Sequence, residues 1–145
     1  MTWRLAKTCG SSIHSAQPSK PDHESPAPVI TATCHCGAVE LYIADPPQEI
    51  TDCNCSICRR YGVLWAYYSP NQINGWQNSA TDTYMWDDRS IAFHRCKTCG
   101  CVTHWQAVDP ARDRMGVNAR LLDPAIVAKA RLRHLDGAVT EAYID

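Results

Sequence analysis

From Val29 onward apolar residues recur with the period of strands. Val39, Leu41 and Ile43 alternate along GAVELYI, which predicts a strand with one buried face, and VITATC before it predicts a partner strand turning back at CHCG, Cys34–Gly37. Asp45-Pro46-Pro47 breaks the second strand. Glu49–Asn54 predicts a short strand delivering Cys53, and Ser56–Tyr61 a helical turn stopped by Gly62. VLWAYYS is a strongly apolar, aromatic strand ended by Pro70, after which residues 70–81 form a polar loop. DTYMW and SIAFHR predict a hairpin turning at Asp87–Ser90 and running into Cys96. CVTHWQAV predicts the next strand, Asp109–Arg114 a loop, and MGVNARLL a further strand. Asp123 caps a short helix with Pro124 at its first position, running through Val127 to about Lys129. ARLRHL predicts a last strand, and Glu141–Asp145 fades out. The pattern is that of a mostly β domain with one or two short helices, without repeats or heptads.

Residues 1–28 break this pattern. They hold Pro18, Pro21, Pro26 and Pro28, several serines and few large apolar side chains, too little to offset the entropy of ordering. We therefore expect a flexible tail over 1–28 and one domain over 29–145, with Cys9 a free thiol in the tail. The first 21 residues lack acids, a feature of organelle-transit peptides, but the basic start has no apolar run behind it and is not a secretory signal. A reducing, cytoplasmic setting follows as the expectation, in which thiols stay free. No apolar run is long enough to cross a membrane. A formal charge of −1 removes any global attraction to nucleic acid or to an anionic membrane, leaving only a local basic patch open.

The cysteines change the picture most. Eight of the nine fall in three groups: CHCG at Cys34–Gly37, CNCSIC at Cys53–Cys58 and CKTCGC at Cys96–Cys101. Disulfide frameworks scatter their cysteines, whereas C-x-C and C-x-x-C runs hold zinc. Residues i and i+2 of a strand share a face, so Cys34 and Cys36 present two sulfurs to one point. Cys96 and Cys99 form a knuckle, in which Gly100 permits a left-handed turn that aims backbone N–H groups at the thiolates. Joined by the fold, the two pairs close one tetrahedron. Cys53, Cys55 and Cys58 supply three sulfurs, which leaves a fourth zinc position open to a substrate thiol. Spacing alone equally allows Cys101 to close that second site, giving two structural zincs.

These three ordered motifs, C-x-C-G, C-x-C-S-x-C-R-x-x-G and C-x-x-C-G, resemble the glutathione-dependent formaldehyde-activating enzyme family, which also includes centromere protein V. The resemblance spans about Val29 to Asp136. It implies a mostly β, zinc-bound, curved sheet fold shared with a small Rab-binding chaperone. It also implies a carbon–sulfur lyase that adds glutathione to formaldehyde or a similar small aldehyde. By the same resemblance, Cys34, Cys36, Cys96 and Cys99 match the structural zinc ligands, and Cys53, Cys55 and Cys58 the catalytic ones. Cys101 stands where some members have no cysteine.

Other residues are candidates beside these. Arg59 and Arg60 follow the second group and are suited to a glutathione carboxylate, or are simply solvated charges. Trp65, Tyr67 and Tyr68 are core residues or pocket walls. His35 points away from its neighbours' sulfurs, while His94 and His104 are candidate proton shuttles near the open site. Asp52 reads as a solvated or supporting acid rather than a base. No serine-hydrolase elbow, P-loop or dinucleotide fingerprint is present. Two readings are carried forward: a two-zinc lyase acting on a thiol and an aldehyde, and a non-catalytic two-zinc module that binds another protein. Nucleic-acid binding is the weakest reading, and oligomeric state is left open.

Overall fold

The computed structural model describes residues 29–145. The expected tail and Cys9 lie outside the described residues. Eleven strands and two short helices make up the described chain: β1 (Ile30–Thr33), β2 (Glu40–Ile43), β3 (Glu49–Cys53), α1 (Cys58–Tyr61), β4 (Trp65–Tyr68), β5 (Ile73–Asn74), β6 (Thr81–Tyr84), β7 (Ile91–Cys96), β8 (Val102–Ala107), β9 (Met115–Asn118), α2 (Pro124–Val127), β10 (Arg131–Asp136) and β11 (Ala142–Tyr143). They form a three-stranded sheet, β1-β2-β5, and an eight-stranded sheet, β11-β10-β3-β4-β9-β8-β7-β6. All pairings are antiparallel except β3 with β10, where Glu49–Cys53 run alongside Arg131–Leu135. The mostly β class with two short helices is as expected.

The alternation of side chains divides the large sheet into two apolar faces. Ile50, Ala66, Tyr68, Met115 and Val117 pack with Ala32, Leu41, Ile43 and Ile73 of the small sheet in one core. The opposite face carries Cys53, Trp65, Phe93 and Trp105, with Ile57, Cys58 and Val63 from around α1. A period of two explains β4, where Trp65 and Tyr67 turn to the second face, and Ala66 and Tyr68 to the first. Tyr68 therefore leaves the set of pocket candidates, and its hydroxyl donates to the Asp45 carbonyl at 3.2 Å.

Two segments are more ordered than the sequence pattern predicts. Within 70–81, Pro70–Gln72 form a 3₁₀ turn closed by a reciprocal Ser69–Gln72 capping box, and β5 adds itself to β2. The C-terminal residues do not fade out. Leu135 and Asp136 pair with Tyr143 and Ala142, and the Asp145 carboxylate meets Arg131 at 3.2 Å and Arg133 at 3.0 Å. MGVNARLL ends as a strand at Asn118, whose side chain accepts from Arg120 N–H and starts a 3₁₀ turn. No helix among the described residues is long and apolar enough to cross a membrane.

Candidate metal centres

The first centre joins the β1–β2 turn to the β7–β8 turn. Cys34 and Cys36 stand 3.7 Å apart, Cys36 and Cys96 3.6 Å apart, and with Cys99 all four sulfurs lie within 4.8 Å of one another. Sulfurs at the corners of a zinc tetrahedron are about 3.8 Å apart when Zn–S is near 2.3 Å, so these residues fit the ion. Gly100, at φ 76°, makes the left-handed turn expected of the knuckle. Its consequence is electrostatic. Backbone N–H groups of Cys101 and Cys36, reinforced by the Cys96 thiol, hold the Cys99 pKa down to about 5. Those of Cys99 and Thr98 lower Cys96 as well. Val39 N–H donates to Cys34 at 3.3 Å. Cys96 and Cys99 are thus favoured as thiolates, whereas at Cys36 the Ala38 N–H is outweighed by desolvation and the neighbouring thiols of Cys96, Cys34 and Cys99, which raise its pKa to about 11.

Cys101 is not in this four-sulfur group, nor does it reach the second centre. It lies beside His35 and Cys99; the His35 N–H favours its thiolate, but burial and the Cys99 thiolate outweigh that and raise its pKa.

The second centre is built at the end of β3 and the start of α1. The sulfurs of Cys53, Cys55 and Cys58 lie within 4.8 Å of one another, and the group contains no fourth ligand. Three thiolates at this spacing also fit a zinc ion, with one position left over. The Cys58 thiol donates to Cys53, and with the N–H groups of Cys55 and Gly137 it lowers the Cys53 pKa to about 6. The same bond, with burial, raises Cys58, although the Trp65 indole N–H donates to its sulfur at 3.2 Å.

A cavity of about 420 Å³ opens on these thiolates. Its wall is aromatic: Trp65, Tyr67, Phe93 and Trp105 line it, and Trp86, Asp87, Arg112 and Glu141 line it as well. Trp105 lies over Gly116 so closely that any β-carbon there would strike the indole, which explains the glycine in a buried strand. A larger cavity, about 780 Å³, lies elsewhere and is lined by Trp76, His94 and Gln106 without a cysteine. The chemistry favours the smaller one.

Both expected proton shuttles lie on the wrong face. His94 and His104 face each other across β7 and β8, their rings stacked at 4.2 Å, while Phe93 and Trp105 turn the other way to the thiolate cavity. Their Nδ1 atoms meet Thr81 and Thr103 hydroxyls at 3.0 and 2.9 Å, and neither Nε2 has a hydrogen-bonding partner among the described residues. Asp52 is half exposed and stands 3.8 Å from His134, one strand over. Arg59 and Arg60 do not line the thiolate cavity. Arg60 donates to the Ser56 carbonyl and flanks a shallow cleft with Tyr61 and Trp86. The cation that reaches the cavity is Arg112, in the loop before β9.

Gly137 and Glu141 also escaped the sequence reading. Asn54, between two of the cysteines, holds their turn: its amide donates to Asp136 at 2.9 Å and accepts from Ala138 N–H at 2.9 Å. Asp136-Gly137 is itself a turn signal that marks a bend here, though not what the bend would touch.

Comparison with known proteins agrees with this arrangement. A family model described as glutathione-dependent formaldehyde-activating enzyme matches residues 29–135. A crystal structure of a Rhodobacter sphaeroides protein is similar, with 28% sequence identity and a TM-score of 0.58, over 70% of this chain and 98% of that one. No curated protein sequence matches significantly.

Proposed function

The chain belongs to the glutathione-dependent formaldehyde-activating enzyme family, and on that premise we propose that it is a carbon–sulfur lyase joining a thiol, glutathione in the first instance, to formaldehyde or a similar small aldehyde. The observation that carries this reading is the contrast between the two centres: four sulfurs gathered at one, and three at the other facing a cavity. Its volume lies within the roughly 300–1,000 Å³ usual for small-molecule sites. Cys34, Cys36, Cys96 and Cys99 are assigned to a structural zinc, and Cys53, Cys55 and Cys58 to a reactive one. Zinc held by the three thiolates supplies an open position that favours the thiolate form of a thiol placed there.

The chain's own residues then shape the reaction. The thiol loses its proton to solvent at the cavity mouth, and its sulfur pair forms a bond to the aldehyde carbon. The carbonyl π pair moves to oxygen, which takes up a proton, so thiol plus aldehyde gives an S-hydroxyalkyl product with no atom lost. Tyr67 serves the oxygen. Burial, with the neighbouring Tyr143, pushes its phenol up to about 12, so it remains an O–H donor toward the developing alkoxide. Trp65 steadies Cys58 through its indole N–H. The aromatic wall limits water around the reacting atoms. The two histidines take no part, because the sheet stands between them and the cavity. All eight described clustered cysteines are free thiols, which suits a reducing, cytoplasmic compartment.

Cys55→Ala tests the reading. The variant should remain folded by circular dichroism, keep about one zinc per chain, and lose at least ~10²-fold in the rate of S-hydroxymethylglutathione formation followed by NMR exchange. Full activity in that variant would overturn the assignment.

A further inference from the structure

The mouth of the thiolate cavity carries one cation and two anions: Arg112, Asp87 and Glu141. None of the three forms an ion pair with another side chain among the described residues. Charged groups left without an internal partner at the rim of a built cavity are available to a ligand.

Both acids, like Arg89 two residues beyond Asp87, sit on left-handed backbone. Asp87 has φ 54° and Glu141 φ 55°, left-handed conformations that disfavour any residue with a β-carbon. Such strain gathers at ligand sites when the surroundings enforce it. Here they do. Glu141 N–H is fixed to the Asp136 carbonyl at 2.8 Å, while the Asp136 carboxylate holds Asn54 and Thr140. Tyr143 anchors the far side through Thr51 at 2.9 Å, and Arg133 lies 3.9 Å over its ring. The turn carrying Glu141 is thus stapled next to Cys53. It also lies beyond the matched family region, which ends at 135, so the family match does not account for it.

One guanidinium and two carboxylates complement a carboxylate and an ammonium carried together, the zwitterion of an α-amino acid. A purely anionic thiol would meet two like charges. We infer that Arg112, Asp87 and Glu141 receive the α-amino-acid end of the thiol substrate, so that the site selects thiols with a free α-ammonium group; this rests on the thiol-binding function proposed above. Glutathione carries such a group at its γ-glutamyl end. Arg112 takes the carboxylate, for which its planar fork is suited, and Glu141 with Asp87 takes the ammonium.

The test uses the zinc-loaded full chain and two probes, glutathione and N-acetylglutathione, which keeps the thiol and the carboxylates but has no ammonium. Trp65, Trp86 and Trp105 line the cavity, so quenching of tryptophan fluorescence reads binding without any turnover. We expect glutathione to bind about fivefold more tightly than its N-acetyl form. Glu141→Gln should erase most of that preference by weakening glutathione while N-acetylglutathione binds as well as before or better, the size expected for a solvent-accessible charge contact. Equal affinity of the wild-type protein for both probes would overturn the inference and leave the thiol function standing. So would equal weakening of both probes by Glu141→Gln. Failure of both probes to bind the wild-type protein at all would remove the thiol function itself, and this inference with it.

Discussion

Burial alters the chemistry of His104 further than its sequence context suggests. The ring is fully buried, and desolvation, with the neighbouring His94, depresses its pKa from 6.5 to about 3 despite the nearby Trp76 carbonyl. The unfolded chain therefore binds a proton that the folded chain refuses between those values. Stability from this group is intact above pH 6.5 and is lost progressively as pH falls toward 3, by about 3–5 kcal/mol in all. Since acid also protonates metal-binding thiolates, the ring itself is the better reporter. In the folded, zinc-loaded protein the NMR shifts of His104 should stay those of a neutral imidazole down to about pH 4, and a midpoint near 6.5 would contradict the packing. At this scale the sequence was informative about sulfur and silent about sides. C-x-C and C-x-x-C spacing places sulfurs together through local geometry alone, and both groups assembled. That Trp65 and Tyr67 part company with Tyr68 also follows from alternation. Which face His94 and His104 take depends on how β7 and β8 sit in the whole sheet, and no neighbouring residue encodes that.

Elements legible in the sequence are those with a repeating pattern. β2, β4, β7 and β8 alternate or run apolar, and α2 begins with the expected Asp123 cap, which accepts from Ala125 N–H at 2.8 Å. β5, two residues long, is too short to carry a period. The turn after β10 is small and polar and looked like a fading end. Its placement comes from β11, from the Asp145 contacts with Arg131 and Arg133, and from the parallel pairing of β10 with β3, which joins segments far apart in the chain. Contacts that distant leave no local trace. The turn nevertheless forms one side of the three-thiolate centre, because a β-carbon on Gly137 would lie 2.5 Å from Cys53 Sγ and 3.2 Å from Cys55 Cβ. Gly137→Ala should therefore weaken metal binding at the three-thiolate centre by about 10–100-fold, and leave the four-sulfur centre unchanged. Chelator competition that resolves two classes of zinc checks this; equal loss at both centres would mean that the turn supports the fold rather than the site.

Across the whole molecule the eight-stranded sheet separates two tasks. Cys34 and Cys96 belong to the core between the sheets, where an ion held by the four sulfurs would tie the β1–β2 turn to the β7–β8 turn, and Cys53 and Cys58 belong to the opposite face with the aromatic cavity. On the proposed function, that division lets one chain use the same ligand chemistry once to hold itself together and once to meet a substrate. It also places Cys101 with the first centre's neighbourhood and away from the second. X-ray absorption at the zinc edge, recorded on the two-zinc protein before and after adding glutathione, tests this division most directly. An average sulfur count below four that rises toward four with glutathione is the predicted result. Two zincs already at four sulfurs each, unchanged by glutathione, would contradict an open, thiol-accepting centre.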